Sequence, residues 1–513
     1  MHAKAGTLPR WPSPGAFAAR PLTPSRRCAG GVSCEVDALT APSPASPALA
    51  VAARTAALRA LCALPSFFAL VASTSATAAE VSWEGFYRAR GDVFDSLSLS
   101  DTNTAAEAAA WTTDHRMRLR PGLLLSDKVS LFTQVDLLPF VQWGDQPVVT
   151  TDPLTGEDIA VVYSDAVAAP ITVEGGSTPQ NLAVTRLWGE VKLKYGTLRI
   201  GRIPNEWGTG MVFNAGNRPV DEFGDTVDRV QFTSKVKSVF LMGGLENRSE
   251  GFAAEKDDYR AVVASVLYQG EKSGVGTFHT YRFRTDPDQK YTTWIGDIWG
   301  RASLGMIEAE IELAAIVGGG DLDDGVNDIR QVSFGGNLQA SLDTEGIRAG
   351  LLAGFATGDQ DPNDTKVRAF SYDPDFNVSL FLFEEPMPVL KPAVSNGDNG
   401  GRTTAAARTG YSISNALFLK PRIGWRFNEE LTVDASYLVA TQAKEDLLTT
   451  TGRGYGGEVN LNVRYDPFPH FWVQGTGGVY MPGKYITEYT DADLGTGFNR
   501  PALGGRLLTT FEF

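Results

Sequence analysis

EVNLNVRY, residues 458–465, is the stretch whose reading decides the fold class. Val459, Leu461, Val463 and Tyr465 share one parity, while Glu458, Asn460, Asn462 and Arg464 share the other. Successive side chains of a strand point to opposite faces. In a membrane barrel one face meets lipid and the other a polar lumen, so apolar and polar residues alternate over about ten positions. The same alternation runs through 431–439, with Thr432, Asp434 and Ser436 on the polar face, and through 129–137, with Ser130, Gln134 and Asp136 there. Working outward, it predicts strands at 187–195, 230–241, 277–284, 307–316, 332–342, 347–356 and 420–427. Gly196-Thr197 and Asn428-Glu429-Glu430 read as tight turns. The polar stretches 144–182, 358–378, 384–411 and 484–500 read as outer loops.

The chain ends in the same manner. Leu507, Thr509, Phe511 and Phe513 share a parity, opposite Arg506, Thr510 and Glu512. An aromatic last residue on an alternating strand is the kind of signal that the outer-membrane barrel assembly machinery reads, so Phe511 and Phe513 are the candidate assembly signal. An amphipathic last strand of a soluble sandwich is the competing explanation.

The first 79 residues have another character. The apolar run AALRALCALPSFFALVA (56–72) follows Arg54 and carries Arg59, and it leads to small residues with Ala76 and Ala78 at A-x-A spacing. That pattern predicts a cleavable export signal over 51–79. Residues 1–50, rich in Pro, Ala, Ser and Arg without periodicity, read as a disordered or mis-assigned upstream extension. Cys28, Cys34 and Cys62 all lie in this leader, so the mature chain has no disulfide or thiol chemistry. Beyond it no run of about 18 to 20 apolar residues occurs, so no transmembrane helix is expected.

From Glu80 onward there are 39 basic and 58 acidic residues, a net charge of −19. Such a surface repels nucleic acid. The expected surroundings are outer-membrane lipid and lipopolysaccharide, with a hydrophilic solute inside. At roughly 20 to 28 residues per strand and connection, 80–513 makes an all-β, antiparallel transmembrane barrel of about 16–18 strands, wide enough for water.

Basic residues recur two apart: Arg88 and Arg90; Arg116, Arg118 and Arg120; Lys192 and Lys194; Lys235 and Lys237; Arg282 and Arg284. Facing lipid at mid-depth, each would cost about 2–4 kcal/mol. Three on one face would cost on the order of 10 kcal/mol, comparable with the stability of a whole domain. They therefore belong to the lumen or to an interface. Glu308, Glu310 and Glu312 form a matching acidic ladder. Two functions follow: an electropositive path for anionic solutes, or facing ladders that pair and stiffen the barrel.

Four segments together resemble the alginate-export type of outer-membrane barrel and its porin-like relatives. They are RMRLRPGLLLSDKVSLFTQV (116–135), LRIGRIPNEWGTG (198–210), GFATGDQDPND (354–364) and the stretch 457–483, where GEVNLNVRYDP leads to VYMPGKY. The resemblance implies an 18-stranded barrel with an Arg-lined constriction, Arg88, Arg116, Arg118, Arg120 and Arg202 being its candidates. It is taken to imply the barrel and the pore, not the polymer.

Weaker constellations complete the sequence. Asp321, Asp323 and Asp324, and Asp359, Asp361 and Asp364, have the spacing of calcium-binding loops. No other cofactor is implied. His115, His279 and His470 are well separated, which gives zinc no local support. Asp114-His115 with Asp257-Asp258 suggests, as an enzymatic alternative, a barrel hydrolase. A closed barrel serving structure or adhesion is the third class.

Overall fold

The computed structural model describes residues 80–97, 99, 110–144, 146–151, 158–164, 182–249, 259–284, 290–321, 329–360, 364–385, 412–445, 452–488 and 498–513. Residues 1–79, with the three cysteines and the expected export signal, lie outside these residues, as do Asp257 and Asp258. Alternation is realised as long antiparallel strands: β1 (Glu80–Asp95), β2 (Ala110–Ser126), β3 (Val129–Gly144), β6 (Leu182–Leu193), β7 (Gly196–Pro204), β8 (Thr226–Val236), β9 (Val239–Ser249), β10 (Tyr259–Gln269) and β11 (Ser273–Arg284). The circuit continues through β12 (Thr292–Leu304), β13 (Ile307–Gly320), β14 (Ile329–Asp343), β15 (Ile347–Ala356), β17 (Ala416–Arg426), β18 (Leu431–Gln442), β19 (Gly454–Phe468), β20 (Phe471–Pro482) and β21 (Ala502–Glu512). Each pairs with the next, and β1 pairs with β21, so 18 strands close without an edge. Outside the wall, β4 (Gln146–Thr151) and β5 (Asp158–Ser164) form a hairpin, and β16 (Lys366–Val367) runs parallel to the start of β14. A single helical turn, α1 (Lys484–Thr487), precedes β21.

The faces follow parity. Trp83, Val93, Ile200, Leu245, Val275, Ile298, Leu351, Leu461 and Leu507 point outward and are exposed, whereas Arg88, Arg118, Asp136, Glu246, Asp297, Glu312 and Glu458 point inward and are buried. An apolar outside around a charged inside is a transmembrane barrel. Short connections all lie at one end, where the chain also begins β1 and ends β21; Phe513 exchanges backbone hydrogen bonds with Gly85 there. Tyr195, Phe427, Phe468, Phe511 and Phe513 are exposed at that rim, and Phe511 lies 4.8 Å from Phe471 and 6.1 Å from Tyr87, ring to ring.

Several sequence expectations change in detail. The predicted strand 230–241 is a hairpin of β8 and β9, turned at Lys237 with φ +55°. The turn expected at Gly196-Thr197 falls instead on Lys194-Tyr195. Gly196 already belongs to β7, where a Cβ would come within 2.2 Å of the Thr233 carbonyl. The Asn428 turn is as expected, its side chain accepting from the amides of Glu430 and Leu431 at 2.9 and 2.7 Å.

The largest difference concerns the loops. Residues 205–225, between β7 and β8, and 364–385, between β15 and β17, are inserted among the inward-facing side chains. Phe370, Tyr372, Phe376, Val378, Leu380, Phe381 and Leu382 form one apolar cluster with Phe94, Met211, Phe418, Leu438 and Tyr480. The expected outer loop 358–378 is thus largely interior. Its aromatic and aliphatic residues explain this, since each buried one contributes about 1.5–3 kcal/mol.

Candidate functional site

Two walls of opposite charge face each other across the barrel. On β1, β2, β3 and β6, inward parity collects Arg88, Arg90, Arg116, Arg118, Arg120 and Arg186 with Asp92, Asp114 and Asp136. Nine strands away, β12–β14 carry Asp297, Glu312 and Asn337. The first inserted segment, 205–225, bridges them.

On the arginine wall the guanidiniums grip the segment's carbonyls. Arg88 donates to Pro219 O at 2.9 Å, Arg116 to Asp221 O and Glu222 O at 2.8 and 2.9 Å, and Arg120 to Asn217 O at 3.2 Å. Arg118 and Arg186 donate to Gly216 O and Ala215 O. Arg118 also holds Asp136 through two bonds of 2.7 and 2.8 Å, and Arg88 and Arg90 share Asp114 at 2.7 and 2.5 Å. Opposite Arg116 the β2–β3 ladder is irregular, with β3 taking four steps from Val141 to Leu137 while β2 takes two from His115 to Met117, so Arg116 keeps the inward parity of Asp114 and Arg118.

On the acidic wall the segment is the donor. Trp207 Nε1 donates to Asp297 at 3.0 Å, while the amide and hydroxyl of Thr209 both donate to Glu312 at 2.5 Å. Asn337 in turn donates to the Thr209 hydroxyl at 2.8 Å. The segment therefore presents acceptors to the cationic wall and donors to the anionic one.

The second segment clasps the first. Asp375 accepts from the amides of Glu222, Phe223 and Gly224 at 2.6, 3.1 and 2.7 Å. Glu458 on β19 likewise accepts from the amides of Leu380 and Leu382 at 2.7 and 2.8 Å. Arg506 on β21 joins Asp92 at 2.7 Å to Glu385 at 3.0 Å. Burial pushes the Glu384 carboxyl up to about 8 and that of Glu385 up to about 7. Burial likewise raises Asp373 to about 9, with the charges of Asp225 and Asp375 adding to it.

The predicted residues separate into groups. Arg88, Arg90, Arg116, Arg118 and Arg120 come together at the bridge. Glu312 joins it from the far wall; Glu310 is half-buried, and Glu308 is exposed next to the short-turn end. Arg282 has inward parity on β11, and Arg284 ends that strand exposed at the long-loop rim. Arg202 departs from expectation. Its neighbour Ile203 is buried, so parity turns Arg202 outward, where it pairs with Asp228 at 2.7 Å. It does not line the interior.

The calcium-like loops are also different. The Arg368 guanidinium lies 3.2 Å from both Asp359 and Asp364, a cation already placed between those carboxylates. Asp321 ends the description of its loop; Asp323, Asp324 and Asp361 lie outside the described residues. The hydrolase pair is split by parity: Asp114 points inward to the arginines, and His115 points outward to the Tyr87 hydroxyl at 2.7 Å.

Sequence reasoning missed Arg186, Asp297, Asp375 and the bridging role of 205–225. Starting the sixth strand at Leu187 excluded Arg186 by one position, although its parity matches Trp188, Glu190 and Lys192. Asp297 alternates within TTWIGDIWG and was open to the same reading. Asp375 acts through backbone amides 151–153 residues away, for which sequence carries no local signal.

No protein-family model matches the chain, and no curated protein matches it. Solved structures from Pseudomonas aeruginosa resemble it in fold. OccK9 (OpdG) is 13% identical, over 85% of this chain and 98% of that one, with a TM-score of 0.48. OccK2 (OpdF), crystallised with glucuronate, is 12% identical over 85% and 96%, with a TM-score of 0.46. OpdK with vanillate is 11% identical over 84% and 98%, with a TM-score of 0.45. At such identities these are likenesses of fold and leave the cargo open.

Proposed function

We propose that the chain is a diffusion channel of the bacterial outer membrane, passing hydrophilic solutes past a charged, loop-narrowed interior. One observation carries the proposal: a chain segment spans the lumen between an arginine wall and a carboxylate wall. A barrel of this size without inserted segments would be an unselective water-filled opening. With the bridge in place, a solute crosses fixed charges of both signs within a restricted section, which selects by size and charge. We assign the constriction to Arg88, Arg90, Arg116, Arg118, Arg120 and Arg186 on one side and to Glu312 on the other. Anionic small molecules, among them uronates, are the proposed preferred cargo, because guanidinium forks match carboxylates. The resemblance to alginate-export barrels supports the pore, and we do not propose alginate itself as cargo. Phe511 and Phe513 are proposed to guide assembly.

One specific observation favours a second reading, the closed structural barrel: most of the arginines are spent on the segment and on Asp114 and Asp136. Planar-bilayer recording separates the two. Channel events with anion selectivity, reduced by glucuronate, support the proposal. Cation selectivity would remove the anionic cargo, and no events at all would favour the closed barrel.

A further inference from the structure

We propose that the outward face of β7–β10 carries a docking row for a phosphate-bearing lipid headgroup of the outer leaflet. Arg202, Asp228, Asn247 and Arg260 occupy one cross-strand row: Arg202 pairs in register with Asp228, Asp228 with Asn247, and Asn247 with Arg260. All four are exposed. The row sits next to the long-loop ends of its strands, beside Pro204, Thr226, Ser249 and Tyr259. In the next outward row toward the membrane centre stand Ile200, Val230, Leu245 and Val262, exposed by 50, 47, 64 and 45%. Laterally the charge stops at Leu187 and Phe283.

Charges over an apolar row match an amphiphile, whose acyl chains lie below its headgroup. Lipid-facing arginine costs about 2–4 kcal/mol at the midplane and about 0–1 near the interface, so the row marks the headgroup level. The row itself holds two guanidiniums and one carboxylate. Strands spaced by about 4.8 Å put Arg202 and Arg260 about 14 Å apart, wide enough for a headgroup with two phosphates. Arg202 and Asp228 hold each other by bonds of 2.8 and 2.7 Å at roughly half exposure. An exposed pair of this sort contributes only about 0–1 kcal/mol to stability, so a phosphate can compete for the guanidinium at small cost. The planar fork of Arg suits phosphate as it suits carboxylate.

The inference rests on the membrane placement proposed above and not on conduction, so a barrel that conducts nothing still tests it. The full chain, refolded in detergent, is incubated with lipid A (a diphosphorylated glycolipid), with phosphatidylcholine, or with inorganic phosphate, and retained lipid is read by native mass spectrometry. The wild type is expected to retain lipid A over phosphatidylcholine. Arg202→Gln with Arg260→Gln is expected to bind it about tenfold more weakly, about 1.4 kcal/mol. Asp228→Asn, which releases Arg202, is expected to bind it more tightly and keeps the test alive if the double variant does not fold. Equal retention by wild type and variants would overturn the proposal. So would retention of inorganic phosphate equal to that of lipid A, or a change of ion selectivity in Arg202→Gln, which would return that side chain to the lumen.

Discussion

The two walls of the lumen handle the same segment in opposite ways. On β1, β2, β3 and β6, five guanidiniums meet backbone carbonyls of 215–222, and Asp114 and Asp136 are shared among the arginines of that wall. On β12 and β13, two carboxylates receive an indole, an amide and a hydroxyl from Trp207 and Thr209. The difference teaches that the ladders are matched to the polarity of a peptide chain, carbonyls to one side and donors to the other. Alternating charge therefore does two jobs here. It makes the lumen hydrophilic, and it holds in place the segment that narrows it.

The arginine wall is the place to break this comparison hardest. Arg118→Ala takes both hydrogen bonds from Asp136, whose side chain is 1% exposed and keeps only Arg116 at 3.4 Å as an ion-pair partner, and removes a donor from Gly216. Loss of one partner of such a pair costs about 3–5 kcal/mol, to be read as a lower thermal midpoint in detergent. Changing Arg118 and Asp136 together to apolar residues should cost less than Arg118→Ala alone. Equal midpoints for wild type and Arg118→Ala would show that the wall does not hold the segment.

A smaller effect sharpens the clasp between the segments. Asp375→Ala removes an acceptor from three amides. Hydrogen bonds to charged groups contribute about 1.5–3 kcal/mol. The variant should unfold earlier and show noisier, larger single-channel currents; quiet currents of wild-type size would contradict a clasp.

The pH dependence is smaller again. Glu384 has a folded-state pKa raised to about 8 by burial, against an ordinary value near 4.5. Between those values the folded protein binds the proton that the unfolded chain has lost, so stability falls as pH rises from about 4.5 to about 8. Glu384→Gln keeps an acceptor for the Val378 amide, which lies 2.6 Å from the carboxylate, and should flatten that slope. A slope unchanged in the variant would assign it to other groups. At the bottom of the scale, Glu308→Gln, exposed outside the bridge, should stay within about 0.5 kcal/mol of wild type.

The contrast between wall and bridge also marks what was legible in the sequence. Alternation in EVNLNVRY and its counterparts carried the barrel, because a strand's side chains are sorted by parity alone. The inward arginines on β1 and β2 followed from the cost of charge against lipid. Arg202 escaped the same rule: it lies one residue from buried Ile203, and a short strand gave no register to place it. The inserted segments were illegible for a different reason. Most of their partners lie from 76 to 161 residues away, and their polar composition is also that of an outer loop. In the second segment Phe370, Tyr372, Phe376, Val378 and the run Leu380–Phe383 hinted at burial.

The central claim is that segment 205–225, held between the charged walls, narrows and selects. The most direct measurement replaces 206–224 with a short glycine-serine linker and compares single-channel conductance and reversal potential with those of the wild type. The account predicts a several-fold larger conductance and weaker ion selectivity. The same conductance and selectivity in both proteins would contradict it.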